Sequence, residues 1–222
     1  MPDADQKFLS KKYWLKLSHY EKLTCVLKNI NLNKIRFTGG EPLLRPDLAL
    51  IISLFAQNLP HVPLALTTNG LGFNNSMARD LKQAGLSQIT FHIDSLREDR
   101  YEKIMGKGKL SLVLEALERA QDLGFNIKIN TVVQKNQNSD ELLNFLLFSK
   151  KSGVEVRFIE IMNTGSAKKF VEHNFMSGQD ILDILALNFK IRPIQRLHKS
   201  DPAEVFFIDD LALSFGLIAS DT

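Results

Sequence analysis

Cysteine is almost absent: the chain carries one, Cys25. A single thiol makes no internal disulfide and supplies no multi-cysteine zinc or iron–sulfur site on its own. An excess of one charge is missing as well. There are 28 Lys and Arg against 25 Asp and Glu, a net charge of +3, so charge alone implies no nucleic-acid partner, while a small anionic ligand is compatible. No run of about 18 apolar residues occurs anywhere. Met1 to Lys12 is polar and lacks an apolar signal core, so the expectation is a soluble cytoplasmic protein with no membrane partner.

Common site signatures are missing too. There is no Gly-x-Gly-x-x-Gly and no Walker-type loop, and Gly106-Lys107-Gly108-Lys109 reads as a basic, flexible loop rather than a phosphate cradle. No Gly-x-Ser-x-Gly elbow occurs. The histidines at 19, 61, 92, 173 and 198 lack ligand spacing, and taken alone His92 reads as a hydrogen-bonded strand residue.

What is present is enough apolar residue, 44% of 222, to bury a full core in one main domain. Strand and helix patterns alternate along it. Ser18 and Glu21 have capping-box spacing ahead of Leu23, Val26, Leu27 and Ile30, predicting a helix over 18–30. Strands are expected at 34–38, 63–68, 88–94, 126–133 and 154–161. Helices between them begin near Asp47, after the caps Asn74 to Ser76, near Glu98, near Leu110 and at Ser139, with Gly85, Gly124 and Gly153 as stops. Five such repeats argue α/β architecture with a parallel sheet, either an open doubly wound sheet or part of a (β/α) barrel. Residues 163–174 read as a polar loop, Ser177 with Asp180 as a helix start, and 204–208 and 211–218 as two short strands.

Polar residues recur at matching places in these repeats. Thr38 to Glu41, Thr67 to Gly70, His92 to Asp94, Lys128 with Asn130, and Glu160 with Met162 all fall in or after the later part of a predicted strand. In parallel βα architectures that rim carries ligands and chemistry. Each cluster has a plain alternative: Gly39-Gly40 as a turn, Asp94 as a helix cap, Lys128 as a strand residue whose head reaches water. Their shared placement favours a site.

The ordered strings Ile35-Arg36-Phe37-Thr38-Gly39-Gly40-Glu41-Pro42-Leu43-Leu44-Arg45, Thr67-Thr68-Asn69-Gly70, Asp94-Ser95-Leu96, Lys128-Ile129-Asn130 and Arg157-Phe158-Ile159-Glu160 resemble the radical S-adenosylmethionine (SAM) enzymes. Within them the chain is similar to the GTP 3′,8-cyclase family of molybdenum-cofactor biosynthesis. The resemblance implies an incomplete (β/α)6 TIM-like partial barrel over residues 1–162, with 163–222 as a small C-terminal appendage that begins a longer extension. It also implies SAM and 4Fe–4S clusters as cofactors and GTP as substrate, a 5′-deoxyadenosyl radical abstracting a hydrogen from the GTP ribose on the way to a cyclic pyranopterin. Position by position, Gly40, Glu41, His92 and Met162 match SAM contacts, and Arg36, Thr67 and Lys128 match GTP contacts. No residue is assigned a catalytic role, and a homodimer is carried as an expectation with no residue behind it.

The chain departs from this family in three ways. The Cys-x-x-x-Cys-x-x-Cys loop and the second cysteine cluster are both missing, so the expectation is a chain truncated at both ends and inactive by itself. Cys25 matches neither cluster. His92 stands where a serine is usual. Two alternatives follow: a non-catalytic nucleotide-binding module that keeps the fold, or a different radical SAM enzyme, the latter disfavoured by Arg36 and Lys128.

Overall fold

The computed structural model describes residues 13–106, 108–162, 168–195 and 202–219. In chain order the elements are α1 (Leu17–Leu27), β1 (Ile35–Phe37), α2 (Leu48–Asn58), β2 (Leu64–Thr68), α3 (Asn75–Gln83), β3 (Gln88–His92), α4 (Glu98–Met105), α5 (Leu110–Asp122), β4 (Asn126–Val132), α6 (Leu142–Ser152), β5 (Glu155–Ile159), α7 (Lys168–Asn174), α8 (Gly178–Ala186), β6 (Ile191–Ile194), β7 (Glu204–Ile208) and β8 (Leu213–Ile218). They fall into two compact units, residues 3–91 with 112–127, and residues 92–111 with 128–222 and 1–2.

In the first unit β1, β2 and β3 are parallel neighbours, with Ile35 opposite Leu64 and Thr67 opposite Thr90. Parallel strands need crossover helices. The helices here show the apolar spacing that lets them cover a sheet: Leu48, Ile51, Ile52 and Phe55 of α2 are all buried. Phe37 meets Phe55 edge to face at 5.3 Å, and Phe73 meets Phe91 at 5.9 Å. Asn74 caps α3, its Oδ1 accepting from the Met77 N–H at 2.9 Å, as the cap spacing predicts.

In the second unit β4 and β5 are parallel, β8 lies parallel to β5, and β8, β7 and β6 continue antiparallel. Residues on both sides of Met162 therefore share a sheet. Phe145, Phe158, Phe215 and Phe206 form a continuous aromatic row with centroids 5.6 to 6.3 Å apart. Ser177 and Asp180 make a reciprocal capping box at the start of α8. Gly153 ends α6 at φ +72, where a residue with a Cβ is disfavoured.

The α/β class with parallel strand–helix repeats is what the structure has. Three local expectations change. Residues 163–174 are not all loop: 163–167 lie outside the described residues, and Lys168–Asn174 is helix α7. Strand β6 went unread, because Arg192 and Pro193 interrupt its apolar pattern and its pairing to β7 is a tertiary contact. Helix α1 starts at Leu17 rather than at a Ser18–Glu21 box, and His19 Nδ1 takes the Lys16 N–H at 3.1 Å. The helix ends at Leu27, short of the expected 30; on it only Thr24 is buried, Leu23 and Val26 are exposed, and Ile30 beyond its end is exposed too.

Candidate functional site

In the first unit the site residues cluster around the ends of β1 and β2. Arg36 sits in mid-β1, and its Nη1 donates to Thr67 Oγ1 and to Thr90 Oγ1, each at 2.9 Å. Thr67 and Thr90 are direct neighbours on β2 and β3, so alternation puts both hydroxyls on one face of the sheet. They fix the guanidinium in place and bring no charge of their own. Thr90 was not a candidate from the sequence. The signal that could have found it is its parity with Thr67.

The loop after β1 turns through Gly39 at φ +145, and a Cβ at Gly39 or Gly40 would meet nothing within 4 Å. This backbone is open to close approach by a ligand. Glu41 pins the loop. Its Oε1 accepts from Thr68 Oγ1 at 2.6 Å and from the Leu43 N–H at 3.0 Å, and its Oε2 accepts from the Asn69 N–H at 2.8 Å. Oε1 is thus filled, while Oε2 keeps acceptor capacity for one more donor. Beyond the short 3-10 turn Pro42–Leu44, Arg45 holds Asp47 through two contacts of 2.8 and 3.0 Å and donates to the Leu15 carbonyl. That guanidinium holds the Asp47 carboxyl below its ordinary pKa.

In the second unit His92 Nε2 lies 2.8 Å from Asp94 Oδ2. Partial burial opposes charging of the imidazole, but the Asp94 hydrogen bond and charge outweigh it, and the His92 pKa rises above 6.5. Asp94 does not cap a helix; its Oδ1 accepts from the Val132 N–H at 2.8 Å. Nearby Tyr101 is fully buried, and its hydroxyl has no hydrogen-bond partner among the described residues. Burial first, then the charges of Asp94 and Glu98, push that phenol up to about 12.

Lys128 is the third residue of β4, in its first half, and faces Glu155, the first residue of β5. Its Nζ donates to both Glu155 oxygens at 2.8 and 2.9 Å, and Arg157 Nε donates to the same carboxylate at 2.7 Å. Burial would raise the Glu155 pKa, but the two cations lower it overall. Glu155 was not read from the sequence, since only strand register sets it opposite Lys128. On the same face of β4, Asn130 Oδ1 is buried without a partner among the described residues. Met162 follows β5 and is exposed. Glu160, 4% exposed, accepts the Gly178 N–H at the start of α8.

A family model described as the Radical SAM superfamily matches residues 6–149. A GTP 3′,8-cyclase of Aquifex aeolicus is 34% identical over 222 residues, covering all of this chain and 68% of that protein. One of Helicobacter pylori is 36% identical over 220 residues, covering 99% of this chain and 67% of that protein. The chain belongs to the radical SAM superfamily and, within it, to the GTP 3′,8-cyclase family. It spans about two thirds of the length of these relatives. Among solved structures, Streptococcus suis SuiB bound to S-adenosylmethionine matches with TM-score 0.67 at 12% identity, over 82% of this chain and 41% of that one. The enzyme anSMEcpe with bound AdoMet and a peptide matches with TM-score 0.62 at 18% identity, over 79% of this chain and 52% of that one. These two likenesses show the radical SAM fold.

The residues present suit one of the family's cofactors and not the other. For SAM the first unit offers open backbone at Gly39 and Gly40 and spare acceptor capacity on Glu41 Oε2. For a 4Fe–4S cluster these 222 residues offer one thiol, Cys25, exposed on α1. Among the described residues no group of three His, Cys, Asp or Glu is placed to hold a metal ion. One thiol cannot supply the several thiolates such a cluster needs.

Proposed function

We propose that this chain binds SAM and GTP as a member of the GTP 3′,8-cyclase family, and that it is inactive in radical chemistry without cluster ligands from outside these 222 residues. The observation that carries the GTP part is Arg36, a guanidinium fixed by Thr67 and Thr90 on the face of a parallel sheet. Lys128 is the second cation proposed for GTP. For SAM the proposed contacts are Gly40 and Glu41 in the first unit, and His92 and Met162 in the second. SAM, when bound, supplies the group that starts the family's radical reaction. The chain's own part is to bind and orient both molecules. Residues 1–162 are proposed as the core and 163–222 as the start of an extension. A cytoplasmic location goes with this reading; among the described residues no helix is long and apolar enough to cross a membrane.

The test is equilibrium dialysis of labelled GTP against the purified chain. Arg36→Ala removes charge-assisted bonds worth about 1.5–3 kcal/mol, so affinity falls at least about tenfold. Unchanged affinity sinks the assignment, and competition by other nucleotides that matches GTP points instead to a different radical SAM enzyme. The lone exposed Cys25 favours a second reading, a nucleotide-binding module without radical chemistry. Stoichiometric iron in this polypeptide after anaerobic reconstitution would eliminate it.

A further inference from the structure

Between β4 and α6 the chain buries two polar side chains. Glu141 is 1% exposed and Asn138 is 2% exposed. A carboxylate that deep is tolerated only with its oxygens hydrogen-bonded. Glu141 Oε1 accepts from Ser95 Oγ at 2.7 Å and from Arg100 Nη1 at 2.7 Å, and Oε2 accepts from the Leu96 N–H at 2.7 Å. Every donor comes from the exit of β3 or from α4. Arg100 is itself braced by Asp140.

Asn138 completes the grip. Its Nδ2 donates to the Asp94 carbonyl at 2.6 Å and to the Val132 carbonyl at 2.9 Å, while its Oδ1 accepts from the Gln134 N–H at 2.7 Å. Three consecutive residues, Asp94, Ser95 and Leu96, are therefore held by one loop. Asp94 in turn divides its carboxylate between the Val132 N–H and His92 Nε2. The imidazole stands at the end of this chain of contacts.

We infer that Glu141 is a positioning residue: by locking the Asp94–Leu96 segment it commits His92 Nε2 to Asp94 and leaves Nδ1 as the ring nitrogen for a ligand. With the imidazole neutral and its proton on Nε2, Nδ1 is an acceptor and takes a hydroxyl or ammonium donor. A serine hydroxyl could both give and take there; a locked imidazole narrows the choice. The inference deepens the proposed reading of His92 as a SAM contact and rests on it for its functional meaning.

Nitrogen-15 NMR of the full 222-residue chain tests it, reading which His92 ring nitrogen carries the proton above the histidine titration. The native chain is expected to show a single Nε2–H form. Glu141→Ala is expected to lose it for an averaged mixture, with Glu141→Gln between the two, since an amide accepts at one atom only. Ser149→Ala is the control for general destabilisation: it removes a buried hydrogen bond to the Val154 carbonyl in the same unit and should leave the His92 signal unchanged. A Glu141→Ala chain that melts earlier yet keeps the native His92 signal overturns the inference. If that variant fails to fold, Glu141→Gln decides, and an unchanged signal there overturns it equally. SAM titration runs in parallel, with affinity expected to fall several-fold in Glu141→Ala. Absence of SAM binding in the native chain defeats the reading of His92 as a ligand contact, while the NMR result still decides the positioning claim.

Discussion

Replacing Glu41 by alanine tests how the glycine loop is held. The carboxylate accepts three hydrogen bonds, from Thr68 Oγ1, the Leu43 N–H and the Asn69 N–H, at 2.6, 3.0 and 2.8 Å. Hydrogen bonds to a charged acceptor contribute about 1.5–3 kcal/mol each, but a half-buried loop lets water recover part of that. The expected cost of Glu41→Ala is therefore about 2–4 kcal/mol, below the simple sum of three bonds. Glu41→Gln keeps two acceptor contacts at one oxygen and turns an amide donor toward the Asn69 N–H, so about half the loss is expected. Urea unfolding gives the global number. Amide hydrogen exchange at Leu43 and Asn69 gives the local one, and both amides should lose protection in the alanine variant. A double-mutant cycle with Thr68→Val should return a coupling of about 1 kcal/mol, because the two side chains share a bond. An alanine variant within about 0.5 kcal/mol of the native chain, with Asn69 protection intact, would refute the pin.

Two further perturbations follow from the same geometry. Glu155 has a lowered pKa because Lys128 and Arg157 together outweigh its burial, so its stabilisation is present above the unfolded carboxylate pKa near 4.5 and is lost as pH falls through the folded value. Lys128→Met removes one of the two cations, and acid unfolding followed by circular dichroism should then begin at a higher pH; an unmoved acid limb would count against the pairing. Gly70 has φ +81, and a Cβ there would lie 2.9 Å from Phe91 Cδ1 and 3.1 Å from Val113 Cγ1. Gly70→Ala is expected to cost about 1–3 kcal/mol in urea unfolding through strain and overpacking; a neutral result would show that Phe91 relaxes freely.

Much of the architecture was legible in the sequence because it depends on local pattern. Apolar spacing marked α2, α5 and α6, glycines marked the ends of α3, α5 and α6, and Asn74 and Ser177 marked two helix starts; the structure contains each. Where tertiary contact decided the outcome, reading failed. The stripe on α1 has helical spacing but stays mostly exposed, because spacing says which residues share a face and not whether a neighbour covers it. The short strand β6 contains Arg192 and Pro193 and exists through its pairing with β7.

The same division runs through the site. Chemistry-bearing residues such as Arg36, Glu41, His92 and Lys128 could be picked out by type and place along the repeats, and the ordered strings around them carried the family. Their partners could not. Thr90 meets Arg36, Glu155 faces Lys128, and Glu141 reaches Ser95 and Leu96, across spans of 27 to 54 residues. The sequence by itself determined the strand–helix alternation, the family and the shortage of thiols, because these reside in residue identity and spacing. Only the tertiary structure decided which oxygen meets which donor, because strand register and loop closure bring distant residues within hydrogen-bond reach and no local pattern encodes that meeting.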